Sequence, residues 1–325
     1  MTVRRFRPTI ITGRGHEELD LWFRTCNDAV MQQTTDYSRR ADRVDQVSWK
    51  LRRMRCGRGA WLIGPEFLGP DMAAMLLRGE SQLRQRYALE RVRSAVTSRV
   101  FKCQLPIGTV AETVYHKEYL DRSMWDAIKH LFRATRALRS FRASQMLEIH
   151  GFRTPVVLAV GQRRVGFLFK RSVMATLEVS RSNHLLYLLG AHADVSGELP
   201  LRVRRDLIRS LGRIVGSLHA ARIVHGDLRL GNVLARRESG CWEFYFLDNE
   251  RTRKCRWFSD RLRLKNLVQV NMIRRGVSAT DRMRFFQAYL SECPELRPLA
   301  RKWMTRVLRR TAARLEGQRR RTVMA

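Results

Sequence analysis

The hydrophobic period of the chain changes near residue 98, and this change constrains the fold more than any other feature. Residues 98–105 alternate loosely and are rich in strand formers, and residues 110–119 continue this pattern after a turn at Pro106–Thr109. We therefore expect a β-hairpin. Apolar residues then recur mainly at a helical period. The further predicted elements are a helix over 125–147, strands over 156–160 and 165–169, a helix over 201–221, and a strand over 242–247 within a mostly helical remainder.

This order of elements predicts an α+β fold in which a small antiparallel-sheet lobe precedes a large, mainly helical lobe across a cleft. We expect a helical and loop extension over 1–85, an N-lobe over 86–173 and a C-lobe over 174–325. The length of 325 residues agrees with about two units of roughly 150 residues each.

The chain is strongly basic. It has 63 lysines and arginines against 30 acidic residues, so its formal net charge is +33. Such a charge favours anionic partners, namely nucleic acid, an anionic membrane surface, or a phosphorylated or acidic substrate. It argues against a strongly cationic substrate. Hydrophobic residues make up 44% of the chain, which is enough for a sizeable core and excludes a disordered chain.

Cysteine usage and apolar segments point to a cytoplasmic protein. The six cysteines are scattered without a C-x-x-C pair, so we expect reduced thiols rather than a zinc site or a disulfide scaffold. The longest apolar runs fall far short of the ~20 residues that a membrane span needs. No apolar core of a signal peptide follows the basic N-terminus.

The most informative stretch follows the helix over 201–221. It reads His225-Gly-Asp-Leu-Arg-Leu-Gly-Asn232, and Asp248 comes later, at the end of the strand over 242–247. Phosphoryl transfer needs a carboxylate that orients the attacking hydroxyl, and oxygen ligands that hold Mg²⁺ on the phosphates. An Asp and an Asn on one loop, with a second Asp at a strand end, supply these groups.

This stretch resembles the protein-kinase-like superfamily, and within it the lipopolysaccharide core kinases, the heptose and Kdo (3-deoxy-D-manno-octulosonic acid) kinases of Gram-negative bacteria. Val114–Tyr119 resembles the strand that carries the phosphate-binding lysine. Leu138–Pro155 resembles the next helix and its Gly-Phe-x-Thr-Pro turn, and Asp260–Leu267 resembles the segment beyond the metal-binding aspartate. The resemblance covers about residues 85–295 and implies a protein-kinase-like fold.

The resemblance also assigns roles to individual residues. Asp227 matches the catalytic base, which orients the sugar hydroxyl for attack on the γ-phosphate of ATP. Asn232 and Asp248 match the Mg²⁺ ligands, and Lys117 matches the lysine that contacts the α- and β-phosphates. His225 matches a loop histidine whose role in the superfamily is usually structural.

Three features depart from the family pattern or leave a role open. Arg93–Ser98, ahead of the hairpin, has hydroxyls and arginines where a glycine-rich loop would cover the phosphates. Glu148 lies late in its helix for a partner of Lys117. Glu250 has two candidate roles, assisting a second Mg²⁺ or serving as a solvated or arginine-paired side chain. A degenerate, inactive kinase is therefore one alternative.

Residues 299–315 form a predicted amphipathic basic helix at the end of the C-lobe. Its apolar stripe can pack on the lobe with the arginines solvated. Alternatively, the helix can dock on a membrane beside an anionic lipid substrate. The sequence leaves both interpretations open.

The sequence therefore predicts an ATP-dependent kinase that phosphorylates a sugar hydroxyl of lipopolysaccharide core, or of another anionic glycolipid, at the cytoplasmic face of the inner membrane. One alternative is an aminoglycoside- or choline-type phosphotransferase, although its cationic substrates need an acidic pocket that few residues here could form. Another is an RNA-associated kinase-like protein. Nucleic acid is the less favoured partner because the chain shows no RNA-binding motif.

Overall fold

The computed structural model describes residues 51–57, 60–94, 97–107, 110–120, 134–165, 169–190, 199–273 and 276–323. The chain divides into two compact units, Met1–Arg52 and Arg53–Ala325. The first unit lies almost wholly outside the described residues. The second unit contains the helical part of the protein and the candidate site.

A seven-stranded sheet forms the first half of the described chain. Its strands are β1 (Leu51–Arg55), β2 (Trp61–Pro65), β3 (Glu90–Val92), β4 (Ser98–Ile107), β5 (Val110–Tyr119), β6 (Val157–Val165) and β7 (Phe169–Leu177). They lie in the order β1-β2-β6-β7-β5-β4-β3. The neighbouring pairs β2–β6, β6–β7, β7–β5, β5–β4 and β4–β3 are all antiparallel. The β4–β5 hairpin agrees with the sequence prediction, and β5 has the predicted ends.

The expectation of helices and loops over 1–85 is wrong at residues 51–65, where β1 and β2 lie. Leu62 and Ile63 are almost fully buried, and β2 pairs with β6 inside the sheet. Burial of this short apolar run outweighs the turn signals of the nearby glycines. The sheet therefore begins before residue 86. Helices α1 (Gly69–Arg78) and α2 (Glu80–Arg86) follow it.

Helix α3 (Arg136–Ile149) lies between β5 and β6, and the Thr135 hydroxyl caps it by accepting a hydrogen bond from the Leu138 N–H. The helix predicted over 125–147 is observed from residue 136, and residues 121–133 lie outside the described ranges. The strand predicted over 156–160 is observed as β6, which continues to Val165. The strand predicted over 165–169 is misplaced: residue 165 ends β6, residues 166–168 lie outside the described ranges, and β7 begins only at Phe169 and runs to Leu177. The short apolar run over 165–169 lies where one strand ends and the next begins, and periodicity cannot locate such a boundary.

The second half is mainly helical. Its helices are α4 (Leu185–Leu189), α5 (Leu201–Ala220), α6 (Asp260–Val270), α7 (Ala279–Glu292) and α8 (Ala300–Val323), and its short strands are β8 (Asn183–His184), β9 (Ile223–Val224), β10 (Val233–Glu238), β11 (Cys241–Phe246) and β12 (Arg253–Lys254). Helices α5 and α7 pack closely at Gly216, where a Cβ atom would lie 2.9 Å from Tyr289 O. The predicted helix over 201–221 and strand over 242–247 agree with α5 and β11 within one residue.

The basic segment 299–315 lies mostly in α8. Trp303 and Thr311 are buried against the rest of the helical part, so the helix packs on its lobe at these positions. Leu308 is half exposed, and the arginines of the outer face are exposed. Within the ranges that the structure describes, none of the helices has the length and apolar character needed to cross a membrane.

Candidate active site

Asp227 lies in the loop between β9 and β10, where three side chains hold its carboxylate. The Gln269 amide donates to Oδ1 at 3.0 Å, and the Asn232 amide donates to Oδ2 at 3.2 Å. The Arg229 guanidinium donates to both oxygens, although 60% of the Arg229 side chain is exposed. Asp227 itself keeps 25% of its side chain exposed. The carboxylate is therefore fixed in orientation yet accessible from outside.

Helix α6 supports this loop through two buried amides that sequence reasoning missed. Asn266 donates to His225 O at 2.7 Å and accepts from the His225 N–H at 3.1 Å. Gln269 accepts from the Leu228 N–H at 3.2 Å while it donates to Asp227. Buried backbone groups need partners, so these amides determine the course of the loop. The signal in the sequence was the spacing of Asn266 and Gln269, which are three residues apart and therefore lie on the same face of a helix; in the structure that face is buried.

His225 connects the loop to the end of β11. Its Nδ1 accepts from the Asp227 N–H at 3.1 Å, and its Nε2 lies 3.1 Å from both Leu247 O and Asn249 Oδ1. These bonds assign the proton to Nε2. Burial lowers the pKa of His225, although Leu247 O and Asp227 act in the opposite direction. A neutral, fully bonded imidazole fits a structural role.

The β10–β11 hairpin brings Asn232 beside Asp248. Val233 pairs with Phe246 in the hairpin, and the Leu247 N–H donates to Asn232 O at 2.9 Å. Asp248 then adopts a left-handed conformation, with φ of 55° and ψ of 48°. This conformation is uncommon for a residue other than glycine, and such backbone strain is concentrated at functional sites.

Lys117 reaches Asp248 from β5. Its Nζ lies 2.8 Å from Asp248 Oδ1 and 4.8 Å from the centre of the Tyr119 ring, on the same side of the strand as the sequence predicts. Burial acts to lower the pKa of Lys117, but Tyr119, Asp248 and Glu250 outweigh it and raise the pKa. Burial acts to raise the pKa of Asp248, but Lys117 and Arg136 outweigh it and lower the pKa. The two groups therefore form an ion pair.

Glu250 pairs with an arginine, one of its two predicted roles. Arg136 Nε donates to Glu250 Oε2 at 2.6 Å, and only 7% of the Glu250 side chain is exposed. Arg136 also donates to Thr97 O at 3.1 Å, in the short loop ahead of β4. Glu148 instead accepts a hydrogen bond from the Thr154 hydroxyl at 2.6 Å. Lys117 is therefore paired with Asp248, and not with Glu148 of α3.

The donor atoms around Asp248 suit ATP and Mg²⁺. The Nδ2 of Asn232 donates to the backbone oxygen of Asp227 at 2.9 Å and also to the Asp227 carboxylate. The Oδ1 of Asn232 therefore points away from these two hydrogen bonds. Carboxylate and amide oxygens are ligands that Mg²⁺ prefers, usually together with phosphate oxygens. Within the described ranges, no group of three or more His, Cys, Asp or Glu residues is arranged to hold a metal ion.

The loop that would cover the phosphates is only partly described. Residues 95 and 96 of the stretch Arg93–Ser98 lie outside the described ranges. The Ser94 hydroxyl donates to Ser98 O at 2.8 Å, which closes the described part of the loop on itself.

A cavity of about 280 Å³ lies within the helical part. Its lining is mainly apolar and includes Leu230, Leu267, Phe285 and Met304. None of the four predicted site residues lines it. The cavity is therefore separate from the polar site around Asp227.

Comparison with known proteins decides the family. The model of the lipopolysaccharide kinase (Kdo/WaaP) family matches residues 88–289. This chain belongs to that family. It is a kinase, as the spacing of Asp227, Asn232 and Asp248 led us to expect.

Two further likenesses agree with the family. The solved structure of WaaP in complex with acyl carrier protein matches 78% of this chain and 98% of that chain, with a TM-score of 0.51 and 19% identity. This match confirms the protein-kinase-like fold. The KEOPS complex subunit Bud32 of Pyrococcus abyssi is 30% identical over 116 residues, which are 36% of this chain. The matched segment spans 44% of that relative's length.

Proposed function

We propose that this kinase transfers the γ-phosphate of ATP to a sugar hydroxyl of lipopolysaccharide core. One observation carries the proposal: the fixed carboxylate of Asp227 and the Lys117–Asp248 ion pair are joined through Asn232, which contacts Asp227 by its side chain and Leu247 by its backbone. This arrangement sets a proton acceptor beside a cationic and oxygen-rich site. Family membership supplies the class of acceptor.

Asp227 acts on the attacking hydroxyl. One carboxylate oxygen accepts the hydroxyl proton as the sugar oxygen bonds to the γ-phosphorus and the bond to the departing ADP breaks. Gln269 and Asn232 keep the carboxylate oriented, so little rearrangement is needed when the acceptor arrives. Arg229 offers an exposed cation beside the carboxylate, where the charge of the transferred phosphate is found.

Lys117, Asn232 and Asp248 hold the nucleotide. The Lys117 ammonium would contact the phosphates, and oxygens of Asn232 and Asp248 would hold Mg²⁺. When bound, Mg²⁺ neutralises phosphate charge and orients the phosphates for in-line transfer.

We also propose that the enzyme works in the cytoplasm, peripherally on the inner membrane. The exposed arginines of α8 and the net charge of +33 support attraction to an anionic surface. Each basic residue near such a surface contributes about 1 kcal/mol, so several could hold the protein there together.

The test is transfer of labelled γ-phosphate from Mg²⁺-ATP to lipopolysaccharide, with wild type beside Asp227→Asn. We expect label in the lipopolysaccharide with wild type and a kcat about 10²–10⁴-fold lower for the variant, because Asn cannot accept the proton. The variant should keep ATP affinity, since Lys117 and Asp248 are untouched. ATP binding by wild type without any transfer would favour a degenerate kinase. Equal activity of the two proteins would refute the role of Asp227.

A further inference from the structure

Strand β12 of the helical part pairs with β9, directly ahead of the loop that carries Asp227, which we call the catalytic loop. In β12, Arg253 pairs with Val224 of β9, three residues before Asp227. Just ahead of it, the backbone of Arg251 packs on Gly226, where a Cβ atom would lie only 2.9 Å from Arg251 Cα. Any larger residue at position 226 would separate the two segments. This close approach brings the side chains of 251–253 to the neighbourhood of Asp227.

Four basic residues gather around this contact, and we call Arg251, Arg253, Lys265 and Arg314 the basic cluster. Lys265 of α6 donates to Gly226 O at 2.8 Å, next to Asp227 in sequence. Burial lowers the pKa of Lys265, and Arg253, Arg251 and Arg314 lower it further, while Asp227 acts in the opposite direction. The three arginines and Asp227 therefore lie within electrostatic range of Lys265. Helix α8, which carries Arg314, contacts the end of α6 through the 3.0 Å hydrogen bond from Asn271 to the Thr311 hydroxyl.

The basic cluster carries more positive charge than its acidic neighbours balance. Asp227 is already bonded to Arg229, and Glu250, which lies 3.5 Å from Arg251 Nε, is bonded to Arg136. Across the described ranges, Arg253 and Arg314 form no ion pair. Both are exposed, and 77% of the Arg251 side chain is exposed as well. Such a concentration of cations costs folding energy through repulsion, and an anion would relieve that repulsion.

We propose that the basic cluster is a subsite for an anionic group of the acceptor, a phosphate or a carboxylate, bound while Asp227 engages the hydroxyl. This inference rests on the proposed function. Guanidinium groups bind both anions in a bidentate manner, and a positive rim also steers a negative acceptor to the site. The cluster thus selects acidic saccharides over neutral ones.

The experiment measures binding without ATP. Fluorescently labelled lipopolysaccharide core oligosaccharide is titrated into the wild type and into Arg253→Ala/Arg314→Ala, a variant that leaves Lys265 and the catalytic loop intact. We expect the variant to bind at least tenfold more weakly. Arg309→Ala/Arg319→Ala is the matched control. It removes the same charge from exposed positions of α8, each five residues from Arg314 and thus roughly 140° around the helix. This control should bind like wild type.

Two treated oligosaccharides identify the anion. One has lost its phosphates to hydrogen fluoride, and in the other the carboxylates have been reduced to alcohols. The treatment that removes the bound group should weaken wild-type binding and abolish the difference between wild type and the cluster variant. Equal binding of native oligosaccharide by wild type and the cluster variant would overturn the subsite, as would an equal loss in the control.

Phosphate transfer by the same proteins is measured in parallel, so the two proposals are separated. Transfer by wild type without any cluster effect on binding would leave the kinase function standing and refute the subsite. Charge-dependent binding without transfer would show that the basic cluster binds an anion, but it would refute transfer to lipopolysaccharide core and with it the role of the cluster as an acceptor subsite.

Discussion

Lys117 and Asp248 are 131 residues apart in the chain, yet Lys117 Nζ and Asp248 Oδ1 lie 2.8 Å apart. The lysine comes from the middle of the sheet and the aspartate from the end of a hairpin in the helical part. Each group keeps the other ionised against the cost of burial. The pair therefore joins the two halves of the fold at the place where the nucleotide is proposed to bind.

Replacing Asp248 and replacing Lys117 should both weaken nucleotide binding, but only the Asp248 variant should lose the dependence of binding on Mg²⁺. We expect Asp248→Ala to raise the Kd of Mg²⁺-ATP at least tenfold and to abolish its dependence on Mg²⁺, because a metal ligand is lost. Lys117→Met should also raise the Kd but keep the Mg²⁺ dependence. Calorimetric titration with ATP, at several Mg²⁺ concentrations, measures both effects. Wild-type affinity in both variants would contradict the assignment of this pair to the nucleotide.

Gln269 is expected to act on the reaction by positioning Asp227. Gln269→Leu removes the 3.0 Å bond to Asp227 Oδ1, so kcat should fall at least tenfold while the KM for ATP stays unchanged. Gln269→Glu keeps an acceptor for the Leu228 N–H but sets a negative charge beside Asp227. That charge should move the acid limb of the pH–rate profile to higher pH, because a neighbouring carboxylate disfavours ionisation. An unshifted profile would mean that Gln269 serves only the fold.

Local patterns allowed much of the fold to be predicted, but not the contacts between distant segments. The β4–β5 hairpin and α5 follow from alternation and from a helical stripe, and the Asp227 loop was recognised by its spacing. Strand β2 was misread because an apolar run of five residues has no helix or strand period of its own. Gln269 was missed because its hydrogen bond to Asp227 spans 42 residues. No periodicity reports a contact over that distance.

The Arg136–Glu250 pair should stabilise the fold as a unit. Arg136→Met removes the 2.6 Å partner of the nearly buried Glu250 carboxylate and leaves it only the exposed Arg251, whose Nε is 3.5 Å away. We therefore expect a loss of about 3 kcal/mol in the free energy of unfolding. Arg136→Met/Glu250→Gln should lose less than the sum of the two single variants, because no unpaired charge is left. Urea unfolding of the three variants and wild type measures the coupling. Additive losses would show that the pair contributes nothing beyond its separate parts.

His219 should make the stability of the protein depend on pH. It is buried in α5, with Nδ1 2.9 Å from the Tyr289 hydroxyl and Nε2 3.3 Å from Asn266 Oδ1. Burial lowers the pKa of His219 to about 3, and the Arg263 charge acts in the same direction. The unfolded chain binds this proton near the ordinary value of 6.5, so the folded state binds fewer protons between these values. Stability is therefore complete above pH 6.5 and falls as the pH drops toward 3.

His219 alone should lower the free energy of unfolding by about 2 kcal/mol when the pH falls from 7 to 5. His219→Gln keeps a donor and an acceptor for Tyr289 and Asn266 but cannot titrate. We therefore expect its loss of stability from pH 7 to pH 5 to be smaller than that of wild type by this amount, as measured by urea unfolding. Between pH 7 and 8 the two proteins should change in parallel, because His219 is neutral in both states there. An equal loss from pH 7 to pH 5 would show that His219 does not control acid stability.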